Sequence, residues 1–137
     1  MANVDTVDSS KFDGLTIQVK TPEGTMFVTI TEDENGKPNA IWITIGKAGA
    51  SIAAWAHSLA RILTLSLDKG ATINDLCVEL SGQTSDKLRI NGDGEIVRSG
   101  PEGVFVALMK YKRDKYEILT KTLGDMDERG RGPNMDG

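Results

Sequence analysis

Residues 15–45, LTIQVKTPEGTMFVTITEDENGKPNAIWITI, alternate apolar and polar side chains in three runs. Leu15, Ile17 and Val19, then Met26, Val28 and Ile30, then Ile41, Ile43 and Ile45 fall on every second position. This is the period at which a strand buries one face and leaves the other to solvent. Thr21-Pro22-Glu23-Gly24 turns the chain after the first run, and Glu34-Asn35-Gly36 after the second, where Asn-Gly supplies residues that tolerate positive φ. The pattern predicts three antiparallel strands. Their other face carries Thr16, Gln18, Phe27, Thr29, Thr31, Trp42 and Thr44. Phe27 and Trp42 make it too apolar for a purely solvated surface, so a second layer or the N-terminal arm is expected to cover it.

After Gly46-Lys47-Ala48-Gly49 a helical period runs over residues 50–69 and closes at Gly70. Ile52, Trp55, Ala56, Leu59, Leu63 and Leu67 form its core stripe, while Ala53, Ala54, Ala60, Ile62 and Leu65 fill most of the remaining circumference. A chain of 137 residues cannot easily surround such a helix, so its second side is expected to face another subunit of a homo-oligomer, a dimer or a hexamer. Thr72 and Asp75 have capping-box spacing before a short helix with Ile73, Leu76, Cys77 and Leu80 on its apolar face. Residues 87–90 and 95–98 pair as a second hairpin around Asn91-Gly92-Asp93-Gly94. Ser99, Pro101 and Glu102 open a last helix, in which Val104, Phe105, Leu108, Tyr111, Ile118 and Leu119 carry the period to about residue 123. The fold class is α+β, an antiparallel sheet and hairpins packed with two to three helices. Residues 1–13 read as a mobile arm that includes Phe12, 14–123 as one domain and 124–137 as a disordered tail.

Composition narrows the function. The chain is 39% apolar and 26% charged, enough for one core, and no run approaches the roughly 20 apolar residues that span a bilayer. The start, Met1-Ala2-Asn3-Val4-Asp5, lacks the basic and apolar regions of a leader, so a cytoplasmic protein is expected. One cysteine, Cys77, excludes an internal disulfide and multi-thiolate metal sites; on its helix it reads as a small buried hydrophobe. Sixteen Lys and Arg against twenty Asp and Glu give a net charge of −4, which argues against DNA as a partner. An anionic ligand must therefore be met by a local cluster.

No catalytic constellation stands out. His57, the single histidine, sits in the long helix, and Asp33, Glu34, Asp93 and Glu95 lack the spacing of a calcium loop. Gly46-Lys47-Ala48-Gly49-Ala50-Ser51 lacks the longer spacing of a phosphate loop. No metal or cofactor is expected. Arg61, on a largely apolar helix, needs a carboxylate, carbonyls or a phosphate. Arg89 and Arg98 flank the second hairpin, Ser99 and Gly100 bring a helix N-terminus beside Arg98, and Asn91 offers a directed hydrogen bond. Each arginine alone reads first as a solvated or ion-paired charge, and Asn91 equally as a turn residue; the grouping makes these six the candidate ligand-binding set.

Four stretches, in order, resemble the TSCPD domain, the C-terminal module of adenosylcobalamin-dependent ribonucleotide reductases. They are Val28-Thr-Ile-Thr-Glu-Asp-Glu-Asn-Gly-Lys-Pro, Ile43-Thr-Ile-Gly-Lys-Ala-Gly-Ala-Ser, Ala60-Arg61-Ile-Leu-Thr-Leu-Ser-Leu followed by Gly70, and Val97-Arg-Ser-Gly-Pro-Glu-Gly. Where the family has its name-giving Thr-Ser-Cys-Pro-Asp, this chain has Arg98-Ser99-Gly100-Pro101-Glu102, without the cysteine and hence without a thiol role. More loosely, the chain resembles the phage-encoded Thoeris anti-defence sponges, which hold cyclic ADP-ribose isomers, and in some members cyclic oligonucleotides, between subunits of a homo-oligomer without cleaving them. That resemblance implies a non-catalytic binder of a cyclic nucleotide signal in the host cytoplasm. The alternative it leaves is an accessory module that docks on a ribonucleotide reductase, with Phe27 and Trp42 at the interface.

Overall fold

The alternating runs form three strands, β1 (Asp13–Thr21), β2 (Gly24–Glu32) and β3 (Pro38–Ile45), in a meander of order β1-β2-β3. The structure is a computed structural model that describes residues 13–47 and 49–130, apart from the side chains of residues 13, 122 and 125–130. Ile17 pairs with Val28 and Val28 with Ile43, so one apolar row crosses the sheet. Val19, Met26, Val28, Ile30, Ile41 and Ile43 are buried on that face. A slip of one residue would turn the whole set to solvent.

Three helices follow the sheet: α1 (Ala50–Asp68), α2 (Ile73–Leu80) and α3 (Gly100–Gly130). α1 packs mainly along β3, α3 along β1, and α2 against α3. Ala60, expected on the second side of α1, is buried in the core beside Ala56, Leu63 and Leu67, whereas Ala53, Ala54, Ile62 and Leu65 are exposed. The other face of the sheet stays open among the described residues, with Thr16, Gln18 and Thr44 exposed and Phe27 39% exposed. The expected cover is therefore not found there; the N-terminal arm, including Phe12, lies outside the described residues.

On each edge of the sheet a single side chain caps the backbone of one residue. On β3, the Thr64 hydroxyl of α1 accepts from the Ile41 N–H at 2.9 Å and donates to the Ile41 carbonyl at 3.1 Å. On β1, Asn91 Oδ1 accepts from the Lys20 N–H at 2.8 Å while its Nδ2 donates to the Lys20 carbonyl at 3.1 Å. Unpaired edge groups invite pairing with another chain, and these two contacts interrupt that template on both sides. Asn91 belongs to the hairpin of β4 (Arg89–Ile90) and β5 (Ile96–Val97), which is shorter than expected. Beyond Val97 the ladder gives way to Ser85, whose N–H and hydroxyl both donate to the Arg98 carbonyl. Lys110 of α3 holds the hairpin turn through Asp93 at 3.0 Å. The Glu95 N–H first, and then Lys110, hold the Asp93 carboxyl below its usual range.

The helix ends follow their caps. Lys69 ends α1 and Gly70, at φ 107°, supplies the left-handed turn beyond it. Both hydrogen bonds of the Thr72–Asp75 capping box are present. α3 begins one residue earlier than the sequence implies, at Gly100, which leaves Pro101 in the second helical position. It also continues to Gly130, past the expected end near residue 123; residues 131–137 lie outside the described residues. Ile118 and Leu119, expected on the core stripe, are 56% and 57% exposed. Nine residues of strand span roughly 30 Å and a 31-residue helix about 46 Å, so the last turns of α3 extend past the sheet.

Where α3 crosses the end of β2, a buried carboxylate is enclosed. Glu32 accepts a short hydrogen bond from the Tyr111 hydroxyl and is met by Lys115 Nζ at 3.1 Å and 3.0 Å on its two oxygens. Burial, reinforced by the hydrogen bond to Glu32 and by its charge, pushes the Tyr111 hydroxyl above the usual tyrosine range. A tyrosine whose folded pKa is raised contributes stability that is complete below the ordinary value of about 10 and is lost as pH rises beyond it. Urea unfolding between about pH 9 and pH 11 should therefore show wild-type stability falling more steeply than that of Tyr111→Phe. Parallel pH profiles for the two proteins would contradict this role for Tyr111.

Candidate functional site

Trp55, Ser58, Leu59 and Ile62 share one side of α1, as residues three and four apart must. They form one wall of a groove of about 740 Å3. Pro22 and Glu23 of the β1–β2 turn, Leu80 at the end of α2, the Ser85-Asp86-Lys87 loop, and Ser99 with Pro101 at the start of α3 complete it. Its size lies within the roughly 300–1,000 Å3 of small-molecule sites. An apolar lining with a few convergent polar groups is the usual composition of such a site.

Three local features hold the walls. Ser99 caps α3 by accepting from the Glu102 N–H at 3.0 Å, and its hydroxyl makes a short hydrogen bond to the Gln83 carbonyl, which ties the loop to the helix. Glu102 in turn accepts from the Arg98 N–H at 2.7 Å, a capping box displaced by one residue. Gly100, between them, is buried. A Cβ there would stand 2.5 Å from the Trp55 ring and would also collide with the Glu23 carboxylate. The bare backbone at position 100 is what lets Trp55 lie against the first turn of α3.

The charged groups of the groove are Glu23, Asp86 and Lys87, and among the described residues none of the three has an ion-pair partner. Unpaired carboxylates accept hydrogen bonds from hydroxyls such as those of ribose, an ammonium meets a phosphate, and an indole face stacks on a base. Burial raises the Cys77 thiol above its usual value, against the opposing field of Lys112. Among the described residues no group of three or more His, Cys, Asp or Glu is placed to hold a metal ion. Nor is any described helix long and apolar enough to cross a membrane.

Of the six residues singled out in the sequence, Ser99 lines the groove and Gly100 backs it. Asn91 spends both ends of its amide on the Lys20 backbone, so its role here is to fasten the hairpin to the sheet. Arg98 is half-exposed, with its guanidinium 3.8 Å from the Glu102 carboxylate. Arg89 is exposed on β4. Arg61 is exposed on α1, so the burial penalty that demanded a partner for it does not arise. None of the three arginines lines the groove. Sequence reasoning missed Trp55, assigned to the core stripe, and Glu23, Asp86 and Lys87, read as turn, loop and strand residues. Only tertiary packing brings these together; the signal present was the Gly100-Pro101 pair beside a capping serine.

Fold and groove together define a small α+β domain with helices on one face of a three-stranded antiparallel sheet and a ligand-sized recess at a helix start. The family model of the TSCPD domain matches residues 8–112, and the chain belongs to that family. No curated protein and no solved structure matches it. Position 100 has no room for a side chain.

Gly100→Ala should force Trp55 off the α3 start and cost about 1–3 kcal/mol, as overpacking in a filled site does. Thermal unfolding with tryptophan emission, in a Trp42→Phe background, checks both effects; an unchanged melting temperature and spectrum would contradict the packing argument.

Proposed function

We propose that this chain is a non-catalytic binding protein that sequesters a cyclic nucleotide immune signal, a cyclic ADP-ribose isomer or a cyclic oligonucleotide, as a phage anti-defence sponge does. The observation that carries this reading is the groove, with an indole wall and, around an apolar floor, two carboxylates and one ammonium that have no ion-pair partner among the described residues. In the proposed complex the base stacks on Trp55, Glu23 and Asp86 accept from ribose hydroxyls, and Lys87 meets a phosphate. The exposed Arg61, Arg89 and Arg98 supply further charge to the part of the ligand outside the groove. Sequestering a scarce signal requires about nanomolar affinity, near −12 kcal/mol. Stacking at roughly 1–3 kcal/mol per base and charge-assisted hydrogen bonds at roughly 1.5–3 kcal/mol each supply terms of the needed size.

The proposed assembly is a homo-oligomer formed through the exposed Ala53, Ala54, Ile62 and Leu65 face of α1. Ile62 also lines the groove, so a subunit seated on that face adds a wall to the site and dries it. The proposed place of action is the host cytoplasm.

The open sheet face favours a second reading. Phe27, 39% exposed, and the half-buried Trp42 lie diagonally across β2 and β3, a surface suited to docking on the large chain of a ribonucleotide reductase.

Calorimetric titration with the cyclic ADP-ribose isomers and cyclic di- and trinucleotides separates these readings. Lys87→Ala should weaken binding about tenfold or more without lowering the melting temperature, since the side chain is exposed. Equal affinity in wild type and variant would remove the groove as the site. No binding of any nucleotide, with binding to a purified reductase lost in Phe27→Ser, would favour the docking reading.

A further inference from the structure

A second recess, of about 500 Å3, lies between the β2–β3 turn, the junction of α1 with α2, and the middle of α3. It shares no lining residue with the groove. Lys37, Lys112 and Lys115 all line it, a local concentration of positive charge in a chain of net charge −4. Two of these ammonium groups are held in place: Lys112 Nζ donates to Asn74 Oδ1 at 2.7 Å, and Lys115 Nζ bridges both oxygens of buried Glu32. Glu32 balances Lys115 alone. Among the described residues, Lys37 and Lys112 have no carboxylate partner. Asp33 Oδ1 accepts from the Asn35 and Lys37 N–H groups at 2.8 Å and 2.9 Å, and Asp75 from the Thr72 N–H at 2.8 Å, so these two carboxylates are held by backbone N–H groups and not by the lysines. The rest of the wall includes Pro38, Leu67 and Ile73, which are apolar.

Ammonium groups that have no carboxylate partner among the described residues, beside an apolar wall, suit an anion carried on an apolar body. We propose that this recess is a second binding site, for a small organic phosphate whose phosphate group is met by Lys37 and Lys112 and whose apolar part rests on Pro38, Leu67 and Ile73. Lys115, neutralised by Glu32, is a positioning residue that keeps the floor of the site in register with α3. The inference is independent of the groove and of the nucleotide assigned to it.

Phenyl phosphate is the probe, titrated into the full chain by calorimetry at low ionic strength. The wild type should bind it saturably and more tightly than inorganic phosphate. Lys37→Ala and Lys112→Ala should each weaken it roughly tenfold while melting like the wild type. Lys87→Ala, in the groove, should leave this affinity unchanged. Lys115→Ala is avoided because it strands a buried carboxylate. Undiminished binding in both lysine variants, loss of binding in Lys87→Ala, or no saturable binding at about 10 mM phenyl phosphate would each overturn the proposal.

Discussion

Trp55 rests on the bare backbone of Gly100, and the groove depends on that contact. Any Cβ at position 100 would meet the indole ring and the Glu23 carboxylate, so α1 and the first turn of α3 approach this closely only where the side chain is missing. The neighbours of Gly100 keep their helix-start work: Ser99 caps α3 and binds the loop at Gln83, and Glu102 fixes the Arg98 N–H. Residues 98–102 therefore act through packing and backbone capture. Position 100 is the point at which two helices and a turn converge.

A one-sided sheet imposes the rest of the arrangement. With a single apolar face, both long helices must share it, and the two strand edges must be interrupted by other means. One threonine hydroxyl and one asparagine amide do this, each making two hydrogen bonds to a single residue's backbone. The Asn91 contact also decides where the short hairpin sits, and Asp93 with Lys110 ties the same hairpin to α3. Ser85 then joins the loop that walls the groove to Arg98, at the end of that hairpin. The site is thus built on elements anchored at several points, although much of its wall is loop.

The strands, their inward residues, the Thr72 cap and the buried Cys77 were legible in the sequence because each depends on a short-range period or spacing. The helix start at Ser99 was legible for the same reason. Asn91 was legible as a turn residue but not as an edge clamp, because Lys20 lies 71 positions away. Arg61, Arg89 and Arg98 drew attention as charges, yet none of them lines the groove, and what surrounds the groove is set by the approach of Trp55 on α1 to Gly100 on α3. Periodicity also places Ile118 and Leu119 on the apolar stripe of α3, but it carries no information on whether another element packs against them.

The central claim is that the groove holds a nucleotide without transforming it. Purified protein would be incubated with a mixture of cyclic ADP-ribose isomers and cyclic di- and trinucleotides, freed of unbound ligand and heat-denatured, and the released material identified by mass spectrometry. Recovery of one unaltered nucleotide is the predicted result; an altered product, or no nucleotide at all, would contradict it.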